Sequence, residues 1–224
     1  GYQAGYYASG SNNTFVGSQA GQGGTTSAPY SSGQQNVAIG YQAFDAFTTA
    51  NQNVAIGYQA GSAHTTPSWS VYVGYQAGLR VTTGAQNVLI GGQAGNKIIT
   101  GERNVAIGAA AFQEGIGSSN VMIGDNAGAY ASGSFNTFVG KSAGIGGQQS
   151  APFSSGQNNT ALGYKALTAF TTGGDNTAVG YQAGDAVTTG VRNTIMGMQA
   201  ATGLTTGQHN VMIGAYTGYQ TTDL

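Results

Sequence analysis

The chain has no cysteine, three prolines, one tryptophan and few charges: six basic and seven acidic side chains among 224 residues. Without cysteine there is no disulfide framework and no thiolate to serve as nucleophile or metal ligand. Charged residues make up 6%, against roughly 25% in an ordinary soluble domain, so the composition is not that of a conventional globular enzyme. A formal net charge of -1 leaves no electrostatic footprint for nucleic acid or for an anionic membrane surface. No apolar run approaches the roughly 20 residues of a spanning helix, so no membrane insertion is expected. Forty glycines would suit collagen, but glycine does not recur at every third position. Thirteen Tyr and eight Phe argue against disorder.

What is present is repetition. The block Asn-Val-Ala-Ile-Gly-Tyr-Gln-Ala begins at Asn36 and again at Asn53, and variants begin at Asn13, Ser70, Asn87, Asn104, Asn120, Asn136, Asn159, Asn176, Asn193 and Asn210. Successive starts lie 23, 17, 17, 17, 17, 16, 16, 23, 17, 17 and 17 residues apart by subtraction. That series itself recurs after 123 residues, from Asn13 to Asn136 and from Asn36 to Asn159. The reading is a single solenoid segment over 1–224, cut from a longer repetitive chain. It holds seven-coil units at about 13–135 and 136–224, the second incomplete.

Fixed positions within the block report its geometry. The fifth residue is always glycine, as at Gly17, Gly40, Gly57, Gly74, Gly91 and Gly108, which predicts a bend or close approach that a Cβ would obstruct. The residue before it is a medium-sized aliphatic, as in Ile39, Ile56, Val73, Ile90, Ile107, Ile123, Val139, Leu162 and Val179, and is expected to form the core ladder. Asn36, Asn53, Asn87, Asn104, Asn120 and Asn136 are expected to stack as an axial amide ladder. Helical periodicity is missing, while Val-Ala-Ile and Thr-Phe-Val alternate with a period of two. A strand of about four residues, a second strand through Tyr-Gln-Ala and a Thr-Thr-Gly return turn are expected in each coil. The fold class predicted is all-β: a parallel β-solenoid, or β-roll, of 16–17-residue coils with a 123-residue superperiod.

The blocks Asn36-Val-Ala-Ile-Gly40, Asn53-Val-Ala-Ile-Gly57 and Asn104-Val-Ala-Ile-Gly108 resemble the head repeats of YadA-type trimeric autotransporter adhesins, whose signature is Asn-Ser-Val-Ala-Ile-Gly. With Tyr-Gln-Ala-Gly and Thr-Thr-Gly they are also similar to repeats of phage tail-fibre-like proteins. The resemblance covers nearly the whole chain and implies a left-handed parallel β-roll, assembled as a trimer and exposed outside the cell or on a virion. The adhesin repeat is shorter, whereas this one is 16–17 residues long and carries a 23-residue variant.

The coil also argues for assembly on its own account. An inward set of one aliphatic, one alanine and part of another residue encloses a thin core, marginal against backbone entropy. Lateral association into a homotrimer, with head-to-tail stacking into a filament as a further arrangement, is therefore expected. Candidate contact residues are Tyr41, Tyr58 and Tyr75 after the fixed glycine, the variable third position of the block, which is Phe15, Tyr72, Leu89, Met122, Phe138, Ile195 or Met212 where it is not alanine, the sole tryptophan Trp69, and the aromatics Tyr30 and Phe153 in the two 23-residue coils. Trp69 is read first as a packing element at a distorted turn and second as a carbohydrate-stacking platform.

No constellation suits catalysis. The two histidines, His64 and His209, are far apart in the repeat series, and the acids fall once per coil at best. No metal, no cofactor and no enzyme activity are expected. The function predicted is a structural and adhesive segment of an extracellular fibre, at a cell or virion surface, that extends and displays binding surfaces. Its partners would be itself and a host-surface protein or glycan. The alternatives are a phage tail-fibre shaft and an ice-binding or carbohydrate-binding solenoid, with the Thr-Thr pairs of the return turns as the ice-binding row.

Overall fold

The computed structural model describes residues 1–24, 30–66, 68–147 and 154–219. Among them there is no helix, and the strands are all three residues long. The chain forms two compact units, Gly1–Ala109 and Ala110–Leu224. The first holds β1 (Thr14–Val16), β2 (Val37–Ile39), β3 (Val54–Ile56), β4 (Val71–Val73), β5 (Val88–Ile90) and β6 (Val105–Ile107). The second holds β7 (Val121–Ile123), β8 (Thr137–Val139), β9 (Thr160–Leu162), β10 (Thr177–Val179), β11 (Thr194–Met196) and β12 (Val211–Ile213). Within each unit strands are parallel and in register: Val37 pairs with Val54, Val54 with Val71, and Thr177 with Thr160 and Thr194. Each unit is thus a parallel β-solenoid, with one strand per coil on one sheet.

Only one strand forms per coil, and the reason lies in the glutamine of Tyr-Gln-Ala. Gln42, Gln59 and Gln76 have φ of 51, 53 and 52°, the left-handed region, which an extended strand excludes. The segment is a turn, and it too is stitched between coils, with Gln59 N–H donating to Tyr41 C=O at 2.9 Å. The preceding corner needs glycine. Gly40, Gly57 and Gly74 have φ of 128, 134 and 134°. A Cβ on Gly57 would lie 2.4 Å from the carbonyl oxygen of Gly74.

The core ladder is not where the fixed aliphatics suggested. Ile39, Ile56, Ile107, Ile123 and Leu162 are exposed, and Val73, Ile90, Val139 and Val179 are half-buried. Alternation explains the correction: the first and third residues of a three-residue strand share a face, and the middle one takes the other. Buried asparagine and buried strand centre face inward together, so the core column is the variable position: Ala38, Ala55, Tyr72, Leu89 and Ala106 in the first unit, Met122, Phe138, Ala161, Ala178 and Ile195 in the second.

That variable column is balanced in volume by the residue six places on. Large strand centres meet glycine: a Cβ would lie 2.2 Å from the Phe15 ring on Gly21, 2.6 Å from Tyr72 on Gly78, 2.7 Å from Leu89 on Gly95 and 2.3 Å from Phe138 on Gly144. Alanine strand centres meet bulk instead, Ala38 with Phe44, Ala106 with Phe112 and Ala161 with Leu167, all fully buried. Where both positions are small, at Ala55 and Gly61, Tyr72 of the next coil fills the space, 2.4 Å from a Cβ on Gly61. Close packing is reached by trading side-chain volume across the coil. Each large side chain so buried contributes roughly 1.5–3 kcal/mol.

Candidate functional site

The amide ladder does two jobs. Asn36 Nδ2 donates to Ala50 C=O at 2.8 Å, bracing the strand start against the return turn of its own coil. Its Oδ1 accepts from Asn53 N–H at 3.0 Å and from Asn53 Nδ2 at 3.1 Å, linking one coil to the next. Asn87 and Asn104 repeat the coil-to-coil link, and Asn120 Oδ1 accepts from Asn136 N–H at 2.9 Å. All six are buried, so a missing partner would cost about 1–3 kcal/mol each. They are committed to the solenoid.

The outward face of the sheet is built from the other two strand positions. In the first unit these are half-buried valines, Val37, Val54, Val71, Val88 and Val105, beside the exposed or half-buried column from Val16 through Ile39 and Ile56 to Ile107. In the second unit the first column changes to Thr137, Thr160, Thr177 and Thr194, in register on β8–β11. Among the described residues no strand carries a charge. Beyond the corner glycines, Tyr41, Tyr58 and Tyr75 stack with ring centroids 5.4 and 5.5 Å apart, as do Tyr164 and Tyr181 at 5.4 Å. Behind them Gln42, Gln59 and Gln76 each donate Nε2 to the Oε1 of the glutamine one coil earlier, at 3.0–3.1 Å.

In the first unit the first threonine of each return-turn pair is tied to the next coil, while Thr49, Thr66 and Thr83 are exposed. Thr48, Thr65 and Thr82 Oγ1 donate to the carbonyls of Thr65, Thr82 and Ile99 at 3.1, 3.1 and 3.3 Å.

The coil of β4 carries the most unusual chemistry. The Tyr72 hydroxyl lies 2.9 Å from His64 Nδ1, and both side chains are fully buried. Desolvation holds the Tyr72 phenol well above its usual pKa of 10, with a hydrogen bond to the Ser70 side chain acting the other way, so the phenol stays neutral and is shared between the His64 ring and Ser70. Ser70 stands where the ladder has asparagine. Its N–H donates to Asn53 Oδ1 at 2.9 Å and its Oγ accepts from Asn87 N–H at 3.2 Å, which keeps the ladder continuous. Two coils earlier, burial pushes the Asp45 carboxyl up to about 6.

The remaining candidates are scattered. Trp69 is 61% exposed, in the left-handed region at φ 62°, and is not the packing element first read from its position. Tyr30 is exposed and stacks on Tyr7 at 6.4 Å, while Phe153 lies outside the described residues. His209 sits 3.3 Å from Arg192 in the second unit, whereas the His64 cluster belongs to the first. A polar cavity of about 420 Å³ is bounded by Asp185, Ala186, Gln199, Thr202 and Tyr219. It holds one carboxyl, whose pKa desolvation raises. Among the described residues no three His, Asp or Glu side chains converge as a metal site, and no helix is long and apolar enough to cross a membrane.

The sequence reading missed the Tyr72–His64–Ser70 cluster. Its signal was the simultaneous loss of asparagine at Ser70, the aromatic at the strand centre and the glycine at Gly78. No protein-family model matches the chain, and no curated protein and no solved structure matches it either.

Proposed function

We propose that the chain is a structural and adhesive segment of an extracellular fibre, at a cell or virion surface, which works by packing side by side as a homotrimer. The observation that carries this reading is the outward strand face. Aliphatic side chains lie there in register, one per coil, on strands without a charge, and Val16, Ile39, Ile56, Ile107, Leu162 and Met196 stay exposed in the single chain. Each unit thus carries an exposed apolar column, and an apolar patch of that kind marks an interaction surface. A second copy supplies the matching periodicity, because its own columns advance by the same strand spacing of about 4.8 Å. The asparagine and strand-centre ladders are less suited, being buried, while the exposed tyrosines Tyr41, Tyr58 and Tyr75 adjoin the same face beyond the corner glycines.

Repetition of one coil lengthens a solenoid without new chemistry, which suits an extended display segment and suits a phage tail-fibre shaft equally. Head-to-tail stacking would extend it further. Light scattering at micromolar concentration tests the assembly. A mass of three chains is expected, falling to one when Ile39, Ile56 and Ile107 are replaced by threonine with the circular dichroism unchanged. A wild-type mass of one chain would refute lateral assembly.

The threonine column Thr137, Thr160, Thr177 and Thr194 favours a second reading, an ice-binding face that orders water on alternating hydroxyls and methyls. Thermal hysteresis in a freezing assay, lost in Thr160→Val/Thr177→Val, is its expected signature.

A further inference from the structure

The residue before the ladder asparagine is left-handed in every coil, and its side chains form an outer column. In the first unit this column runs Gln35, Gln52, Trp69, Gln86 and Arg103, with φ of 58, 58, 62, 58 and 56°. Backbone hydrogen bonds hold the rungs adjacent: Trp69 N–H donates to Asn51 C=O, Gln86 N–H to Ser68 C=O, both at 3.3 Å, and Arg103 N–H to Ala85 C=O at 3.0 Å. A left-handed conformation costs an ordinary L-residue roughly 1–2 kcal/mol, and the fold imposes it on this rung in every coil, including the exposed Phe135 of the second unit at φ 61°. The fold does not ask for an indole at this rung. The residue 123 positions on, Arg192, has the same conformation at φ 58°, and every other rung of the first unit is polar.

We propose that Trp69 is a glycan-stacking site that takes the apolar face of a neutral pyranose ring, with the amides of Gln52 and Gln86 holding its hydroxyls. The indole is exposed, and its electron-rich face attracts the polarised C–H bonds on one side of a sugar. Gln52 and Gln86 are exposed on the two neighbouring rungs, and an amide offers both donor and acceptor to a hydroxyl. Arg103 Nε donates to Gln86 Oε1 at 3.2 Å, which orients that amide. The Arg103 charge is matched by Glu102 at 3.6 Å, so the column has no net charge here and favours a neutral over an acidic sugar. The site deepens the adhesive half of the fibre reading, but it lies at the edge of the strand face and does not depend on lateral assembly.

The sole tryptophan is its own reporter. Fluorescence titration with the methyl pyranosides of glucose, galactose, mannose and N-acetylglucosamine, and with their short oligosaccharides, is expected to give a saturable blue shift with at least one. Gln52→Ala/Gln86→Ala should weaken that binding about tenfold, the worth of one or two hydrogen bonds. Trp69→Arg, the residue of the counterpart coil, should keep the melting profile and lose retention on the same immobilised sugar. Three results overturn the proposal: no saturable change with any sugar, a blue shift that grows with protein concentration alone, or unfolding of Trp69→Arg. Solution mass, read separately, reports whether lateral assembly has failed.

Discussion

Residues 61–78 and 184–201 occupy equivalent places in the two units, 123 positions apart, yet their interiors are chemically unlike. In the first, Tyr72, His64 and Ser70 form a hydrogen-bonded group. In the second, the same positions are Ile195, Val187 and Asn193, and Asn193 Nδ2 donates to Asn176 Oδ1 at 3.0 Å and to Gly207 C=O at 2.8 Å. The shell around both is the same: corner glycines Gly74 and Gly197 with φ of 134 and 135°, and a continuous ladder. The difference shows that the coil interior changes as a set. Tyr72 needs a partner for its hydroxyl and needs Gly78 beside its ring; Ile195 needs neither, and Ala201 occupies the counterpart of Gly78.

The comparison breaks hardest where the two coils are alike. A Cβ on Gly74 would lie 2.6 Å from the carbonyl oxygen of Gly91, and one on Gly197 would lie 2.5 Å from that of Gly214. Gly74→Ala and Gly197→Ala should each cost about 4 kcal/mol or more, since backbone meets backbone and nothing flexible can yield. Urea titration followed by circular dichroism should show equal losses, and a marked inequality would mean that the corners differ.

Where the coils differ, the effect should be conditional. Gly78→Ala should cost about 2–4 kcal/mol from overpacking against Tyr72 and from its left-handed φ. In a Tyr72→Ile background the added loss should fall to about 1 kcal/mol, because Ala201 sits at φ 57° beside Ile195. A double-mutant cycle from the same titrations measures the coupling.

The smallest effect concerns Asp185, whose counterpart is Ser62. Desolvation raises the Asp185 carboxyl above its usual 3.8, so between that value and its folded pKa the native chain binds more protons than the unfolded one. Its contribution to stability is therefore greatest in acid and is lost as pH rises through the folded pKa. Asp185→Ser should flatten that slope and leave stability at neutral pH equal or slightly higher, as a melting series from pH 4 to pH 7 would show. A steeper slope would contradict the sign.

Much of the architecture was legible in the residues. The block starts place a strand in every coil, and the glycine at Gly57 announces a corner that only a bare Cα can pass. Which face points inward was not legible from uniformity. Ile39, Ile56 and Ile107 are nearly invariant yet exposed, while the core position varies because Ala38 with Phe44 fills the same space as Phe15 with Gly21. Reading the strand centre and the residue six places on as one quantity would have found the core. The second strand failed for a different reason. Glutamine is an ordinary residue in composition, and its left-handed backbone at Gln59 is imposed by the coil-to-coil bond to Tyr41. Trp69 failed similarly, since only its backbone conformation shows that the indole is displayed.

The volume trade inside the coil has an evolutionary corollary. Because most strand centres are compensated within their own turn of chain, a coil behaves as an interchangeable cassette. Unequal crossing-over between sister coils would add or remove a turn without opening a void, except beside Ala55 and Ala178, which borrow bulk from the turn that follows. Reach could thus be adjusted by copying genes in-frame, while those two seams remain the places where a careless splice would leave a hole.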